Sequence, residues 1–168
     1  MRAVRSVRTA VLTTFHMHAF AAAGASFLTA VLWFDLMFDV QTRKHGAETL
    51  PDDVLASISA YYRRVTTEAT PMNRLISIVM LATLGALAAQ VVEGRDPAWI
   101  GWSSLALAAS GIGLAGARTV RNAVRLGSAA GSAARRSQLA RSIYRDHLYC
   151  LAAMVSVVAI QLFTFRVG

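Results

Sequence analysis

The chain has no P-loop, no Gly-rich dinucleotide turn, no HExxH helix and no GxSxG elbow, so the compact signatures of phosphate, zinc-hydrolase and acyl-enzyme chemistry are missing. Cysteine is nearly absent. Cys150 stands alone, which excludes an intrachain disulfide and a cysteine-rich metal centre. Strand-like alternation, internal repeats and a low-complexity tail are missing too. Charge is missing where it would be most costly: no Asp, Glu, Lys or Arg lies between Arg8 and Asp35, a run long enough to cross a bilayer with some tilt.

What the chain does contain is apolar. Over 168 residues it is 55% hydrophobic with a mean hydropathy of +0.47, outside the range of ordinary soluble domains. The excess sits in four runs, about 9–38, 72–92, 98–118 and 147–165. The last three have about the 18 to 21 residues that a hydrocarbon core demands, and only helices suit such Leu-, Ala- and Met-rich spans. The first run is too long for a cleavable signal peptide and ends in acids. The expected architecture is therefore an all-α integral membrane protein. It is a single domain over 1–168, an antiparallel four-helix transmembrane bundle with an amphipathic surface helix at about 52–66 in the first loop.

The net charge of +8 belongs to loops beside the spans, where anionic lipid and topology account for it; nucleic acid is not an expected partner. The two termini and the second loop hold five Lys and Arg, whereas the first and third loops hold twelve. The positive-inside rule then puts loops one and three in the cytoplasm and both termini outside, in a cytoplasmic (inner) membrane. Trp33, Trp99, Trp102, Tyr144 and Tyr149 fall at span ends, as interfacial aromatic belts do.

Three spans carry mixed polar seams at alternating steps of three and four. They are His18, Ala21, Ala25, Leu28, Leu32, Asp35 and Asp39 in the first; Asn73, Ile76, Met80, Thr83, Leu87 and Gln90 in the second; and His147, Cys150, Met154, Val157 and Gln161 in the fourth. Such spacing marks a face packed on neighbours. Ala21, Ala22, Gly24 and Ala25 invite close approach, and Ala109, Gly113 and Ala117 give the third span a small-residue face. In the first loop, Pro51, Asp52 and Asp53 open a helix bearing Val54, Leu55, Ile58, Tyr61, Tyr62 and Val65. It is expected either on the membrane surface or as a lid on the bundle. Thr70 is expected to cap the second span and Pro71 to start it. The stretch Gly127–Ser132 breaks the chain before the fourth.

Antiparallel packing gathers the chemistry at two depths. At the cytoplasmic end come Asp35, Asp39, Arg74 and His147 as candidate acid–base residues, with Asn73, Arg121, Asn122 and Tyr144 as candidate substrate or partner contacts. At the outer end His18 approaches Gln90, Glu93 and Gln161. His18 with Glu93 could ligate a transition metal, and paired histidines could hold haem, although His16 and His18 diverge around the helix and His18 and His147 lie at opposite depths. The cofactor stays open.

The segments RNAVRLG and SIYRDHLYCLAAM, with Asn122 after the third span and Tyr144 and His147 opening the fourth, resemble the small four-helix membrane family that includes anthrone oxygenases. The resemblance covers about the last 50 residues and implies oxidation of a hydrophobic aromatic substrate. The chain lacks that pattern's proline before Asn122 and its arginine one turn after His147.

Two functions follow. One is a non-catalytic subunit or small-molecule- or lipid-binding component of a membrane complex, partnered by membrane lipids and by another subunit or its own copy. The other is a membrane oxidoreductase- or oxygenase-like enzyme acting on a lipophilic substrate through the Asp/His cluster.

Overall fold

The computed structural model describes the backbone of residues 2–46, 48–94 and 97–167, and the side chains of 17–46, 48–94 and 97–163. Its regular structure is helical throughout, with no strand among the described residues. Helix α1 runs Arg2–Asp39 and passes into a 3-10 segment, Val40–His45. Helix α2 spans Asp52–Arg63 and ends in a π-helical turn, Arg64–Glu68. Helix α3 is Thr70–Glu93, and α4 (Ala98–Leu114) continues through a second π turn, Ala115–Thr119, into α5, Val120–Gly127. Helix α6 is Ala133–Val167.

The boundaries have local causes. Pro51 precedes α2, Asp52 and Asp53 occupy its first turn and Arg63 its last, so charges complement the helix dipole at both ends. Its expected extent of about 52–66 is divided between the α-helix and the π turn. Helix α3 begins one residue earlier than expected: Ala69, with no side-chain cap, holds the N-cap position, and Thr70 is already helical with Pro71 in the first turn. Gly94 ends α3 at φ +60°, a left-handed cap that glycine adopts without strain. Arg95 and Asp96 of the expected turn lie outside the described residues. The sequence reading passed over one G-x-G-x-x-G run, Gly111, Gly113 and Gly116; it lies within the continuous α4–α5 rod, with no strand among the described residues before it, and so forms no dinucleotide-binding turn.

Four stretches are long and apolar enough to cross a membrane: Met17–His45, Thr70–Glu93, Ala98–Gly127 and Ala133–Phe163. They pack in a circuit, α1 against α3 and α6, and α4 against the same two helices. Ala21, Ala25, Leu28, Leu87, Met154 and Val157 form the shared core. Phe20, Ile78, Leu81, Trp102, Leu162 and Phe163 point outward and are largely exposed, an apolar exterior too extensive for scattered surface residues. The shorter helices make a second core, in which Leu55, Ile58 and Tyr62 of α2 meet Leu126 of α5 and Ile143 of α6. The apolar face of α2 is thus spent on protein. It is not left available for a bilayer surface.

The seams of α1, α3 and α6 face inward along their lengths. Glycine permits a close approach of α1 to α3: a Cβ on Gly24 would collide with the Thr83 hydroxyl. The small-residue face expected on α4 is out of phase. Ala109, Gly113 and Ala117 are exposed, and Gly101, Ser104, Ala108 and Gly111 are buried. Helix α4 is so uniformly small and apolar that composition does not distinguish one face from the other.

Gly127 and Gly113 test this packing. A Cβ on Gly127 would lie 2.7 Å from the backbone N and 2.9 Å from Cα of Arg63, and backbone cannot step aside. Gly127→Ala is expected to destabilise the chain by about 1–3 kcal/mol, the usual cost of overpacking. Gly113→Ala, with nothing within 4 Å, should be neutral or mildly stabilising. Thermal unfolding of the two variants in one detergent checks the contrast.

Candidate functional site

The last two turns of α1 present two acids to one histidine. Asp39 is fully buried. Its Oδ1 accepts a 2.6 Å hydrogen bond from the Tyr62 hydroxyl, and its Oδ2 lies 2.7 Å from Nδ1 of His147. One turn earlier, Asp35 Oδ1 accepts from the Tyr61 hydroxyl at 2.5 Å, and Oδ2 stands 3.8 Å from Nε2 of the same imidazole. That last separation is too long for a hydrogen bond. His147 is therefore fastened on one ring nitrogen by Asp39, and its other ring nitrogen faces Asp35.

The spacing of α1 creates the pair, because residues four apart share a helix face. The tyrosines arrive from α2, whose buried stripe of Leu55, Ile58 and Tyr62 is seated on α5 and α6. Tyr61 stacks on Phe38 with ring centroids 3.9 Å apart and meets Tyr62 edge-on at 5.3 Å. Burial raises both phenols well above their ordinary range, and the neighbouring acids push in the same direction. Both tyrosines thus remain proton donors to Asp35 and Asp39.

A second pairing sits one residue before His147. Asp146, buried on α6, takes the Arg118 guanidinium on both carboxylate oxygens and the Thr119 hydroxyl at 3.1 Å. Arg118 and Thr119 belong to the π turn of α4, and π turns recur where a helix must re-aim side chains at a site.

Between these groups lies a cavity of about 440 Å³, within the roughly 300–1,000 Å³ typical of small-molecule sites. Its walls are mainly apolar, with Leu28, Leu32, Ile76, Met80 and Met154. Asp35, Tyr61, Tyr62 and His147 form a polar margin, and Thr66 and Thr119 come from the two π turns. Cys150 lines it as well, buried, its thiol directed at the Gly111 carbonyl at 3.4 Å.

Of the residues singled out in the sequence, Asp35, Asp39 and His147 come together and Asn73 lines the cavity. Arg74 does not join them. It is exposed and outside the cavity lining, because it follows Asn73 onto the outer face of α3. Asn122 reaches Ser142 at 3.5 Å, Arg121 is exposed, and Tyr144 is half-buried outside the lining. His18 is engaged at the far end, its Nδ1 2.7 Å from Oε1 of Gln161 and 3.5 Å from Nε2 of Gln90. Gln161 also pairs with Gln90 and donates to Ser104 at 3.0 Å. Glu93 is exposed, the side chain of His16 lies outside the described residues, and among the described residues no three His, Cys, Asp or Glu gather as a metal site. Sequence reasoning placed Tyr61 and Tyr62 only as apolar positions and passed over Asp146 and Thr119. One signal for Asp146 was available: it is the sole acid of α6, and a buried acid demands a partner.

Removing the Tyr62 hydroxyl leaves a buried acid short of one donor. Tyr62→Phe should cost roughly 1.5–3 kcal/mol, the range for hydrogen bonds to charged groups, and Tyr61→Phe less, because Tyr61 is only half-buried; thermal melts of both variants check the order. Raised phenol pKa values also set a pH dependence. Their contribution to stability is complete below the unfolded value of 10.0 and is lost as pH rises past it. Absorbance titration should show two late-ionising tyrosines, one lost in each Tyr→Phe variant.

Comparison with models of known protein families, with curated proteins and with solved structures finds no match to this chain.

Proposed function

We propose that this protein is an integral membrane protein whose four long helices cross the bilayer in antiparallel order and hold a small lipophilic molecule beside Asp35 and His147. One observation carries this reading: a partly open cavity of about 440 Å³ with mainly apolar walls and an acid–histidine margin, lined by helices whose outer faces are themselves apolar. A molecule of that character is concentrated by a bilayer and can reach the site through it. Loops one and three, with most of the Lys and Arg, face the cytoplasm, and both termini lie on the other side. The protein acts as a binding component, alone, as a homo-oligomer or within a larger membrane complex.

The test is purification of the full chain from native membranes in a mild detergent, followed by extraction and mass spectrometry of what it carries. A stoichiometric lipophilic molecule is expected. Ala115→Phe, which places a ring in the cavity wall, should reduce its occupancy at least tenfold; undiminished occupancy in that variant overturns the reading.

A second reading, a membrane enzyme acting on a lipophilic substrate, is favoured by the Asp39–His147 contact at 2.7 Å. A carboxylate fixed on Nδ1 orients an imidazole and leaves Nε2 for proton transfer. Conversion of the co-purified molecule by reconstituted protein, abolished in His147→Gln, would establish catalysis. Recovery of the same molecule unchanged leaves binding as the function.

A further inference from the structure

The cavity is one-sided in charge. Asp35 and His147 are the acid and the imidazole of its lining, and no Lys or Arg lines it among the described residues. Asp39 stands directly behind the imidazole. Two carboxylates against one imidazolium leave one net negative charge at full ionisation, and the cluster never carries a positive one while both acids are ionised. Arg118, on the π turn, is held by both oxygens of Asp146 and is neutralised there. A carboxylate or phosphate head would meet like charge and find no cationic partner among the described lining residues, only neutral donors such as Asn73, while the two tyrosine hydroxyls are already committed to the acids. A head that brings its own positive charge and its own N–H donors meets the opposite situation.

The geometry points to a lipophilic amine as the occupant, its ammonium seated against Asp35 and its hydrocarbon body lying among Leu28, Leu32, Ile76 and Met80. The assignment rests on the binding function proposed above and deepens it. Asp35 is suited to the role because it is incompletely satisfied. Its Oδ1 is bonded to Tyr61, its Oδ2 stands 3.8 Å from the imidazole, and it lines the cavity. Asp39, fully buried and bonded on both oxygens, is left to position His147. The Tyr61 ring, braced by Phe38, adds an aromatic face to the same wall, of the kind that attracts ammonium groups. In an interior of low dielectric, complementarity of sign discriminates between heads more sharply than it does in water.

The experiment compares three chains that differ only in their heads: decylamine, decanol and decanoate, titrated calorimetrically at neutral pH into the full protein in a neutral detergent. Decylamine is expected to bind saturably at one per chain and at least tenfold more tightly than decanoate, with decanol between them. Asp35→Asn should weaken decylamine at least tenfold more than it weakens decanol. Decanoate binding as tightly as decylamine in the wild-type protein overturns the amine assignment even if the variant fails to fold, and leaves the binding function standing. Saturable binding of none of the three, together with no carried molecule from native membranes, overturns both.

Discussion

The bond between Asp39 and His147 is the constraint from which the rest of the site follows. An acid with no solvent exposure on the last turn of α1 must be satisfied by side chains, because an isolated buried charge costs far more than helix packing returns. The partners come from two other helices: His147 from α6 and Tyr62 from α2. Meeting them fixes the rotation of α6 against α1 and draws α2 across the end of the circuit. Once α2 is seated, Tyr61 falls beside Asp35 without further provision, since it is the adjacent residue and Asp35 is one turn away.

The opposite end is closed by a different chemistry. His18, Gln90, Gln161 and Ser104 form a buried network of amide, hydroxyl and imidazole from α1, α3, α6 and α4. His18 and Asp39 are separated by about 30 Å of helix rise along α1. Each long helix therefore has a polar position that must be matched at the far end, while α1 and α6 are also matched at the near one. Apolar packing alone tolerates sliding and rotation, whereas buried hydrogen bonds have one register. The polar ends specify the arrangement and the apolar middle supplies the bulk of contact.

Much of this was legible in the sequence because polarity contrasts with an apolar background. The three–four steps from His18 to Asp39, Asn73 to Gln90 and His147 to Gln161 gave the inward faces of α1, α3 and α6, and the convergence of Asp35, Asp39 and His147 was expected from sorting side chains by depth. Helix α4 offered no such contrast. Glycine, alanine and serine occupy all its faces, so its phase was set by which ones admit Val91 and Met154, near Gly101 and Gly111, a matter of partners that a single segment does not encode. The destination of α2 was illegible for a related reason. An amphipathic stripe specifies that a face is to be covered and leaves the covering surface unspecified, protein or lipid. Arg74 shows the limit of arguing by depth: it has the right level on α3 and the wrong side of it.

The same division explains why the cavity sits where it does. A helix bundle packed throughout as it is around Ala21, Ala25 and Val157 would have no room for a ligand. At the Asp35–His147 end the packing is interrupted twice, by the π turns at Arg64–Glu68 and Ala115–Thr119, each of which adds a residue to its turn and swings the following face out of phase. The first leaves Thr66 and the second leaves Ala115 and Thr119 on the cavity wall. The second also delivers Arg118 to Asp146, which pairs that guanidinium with a buried acid. Asp39 and Asp146 are thus taken up by protein partners, whereas Asp35 lines the cavity with one oxygen beyond hydrogen-bond distance of His147.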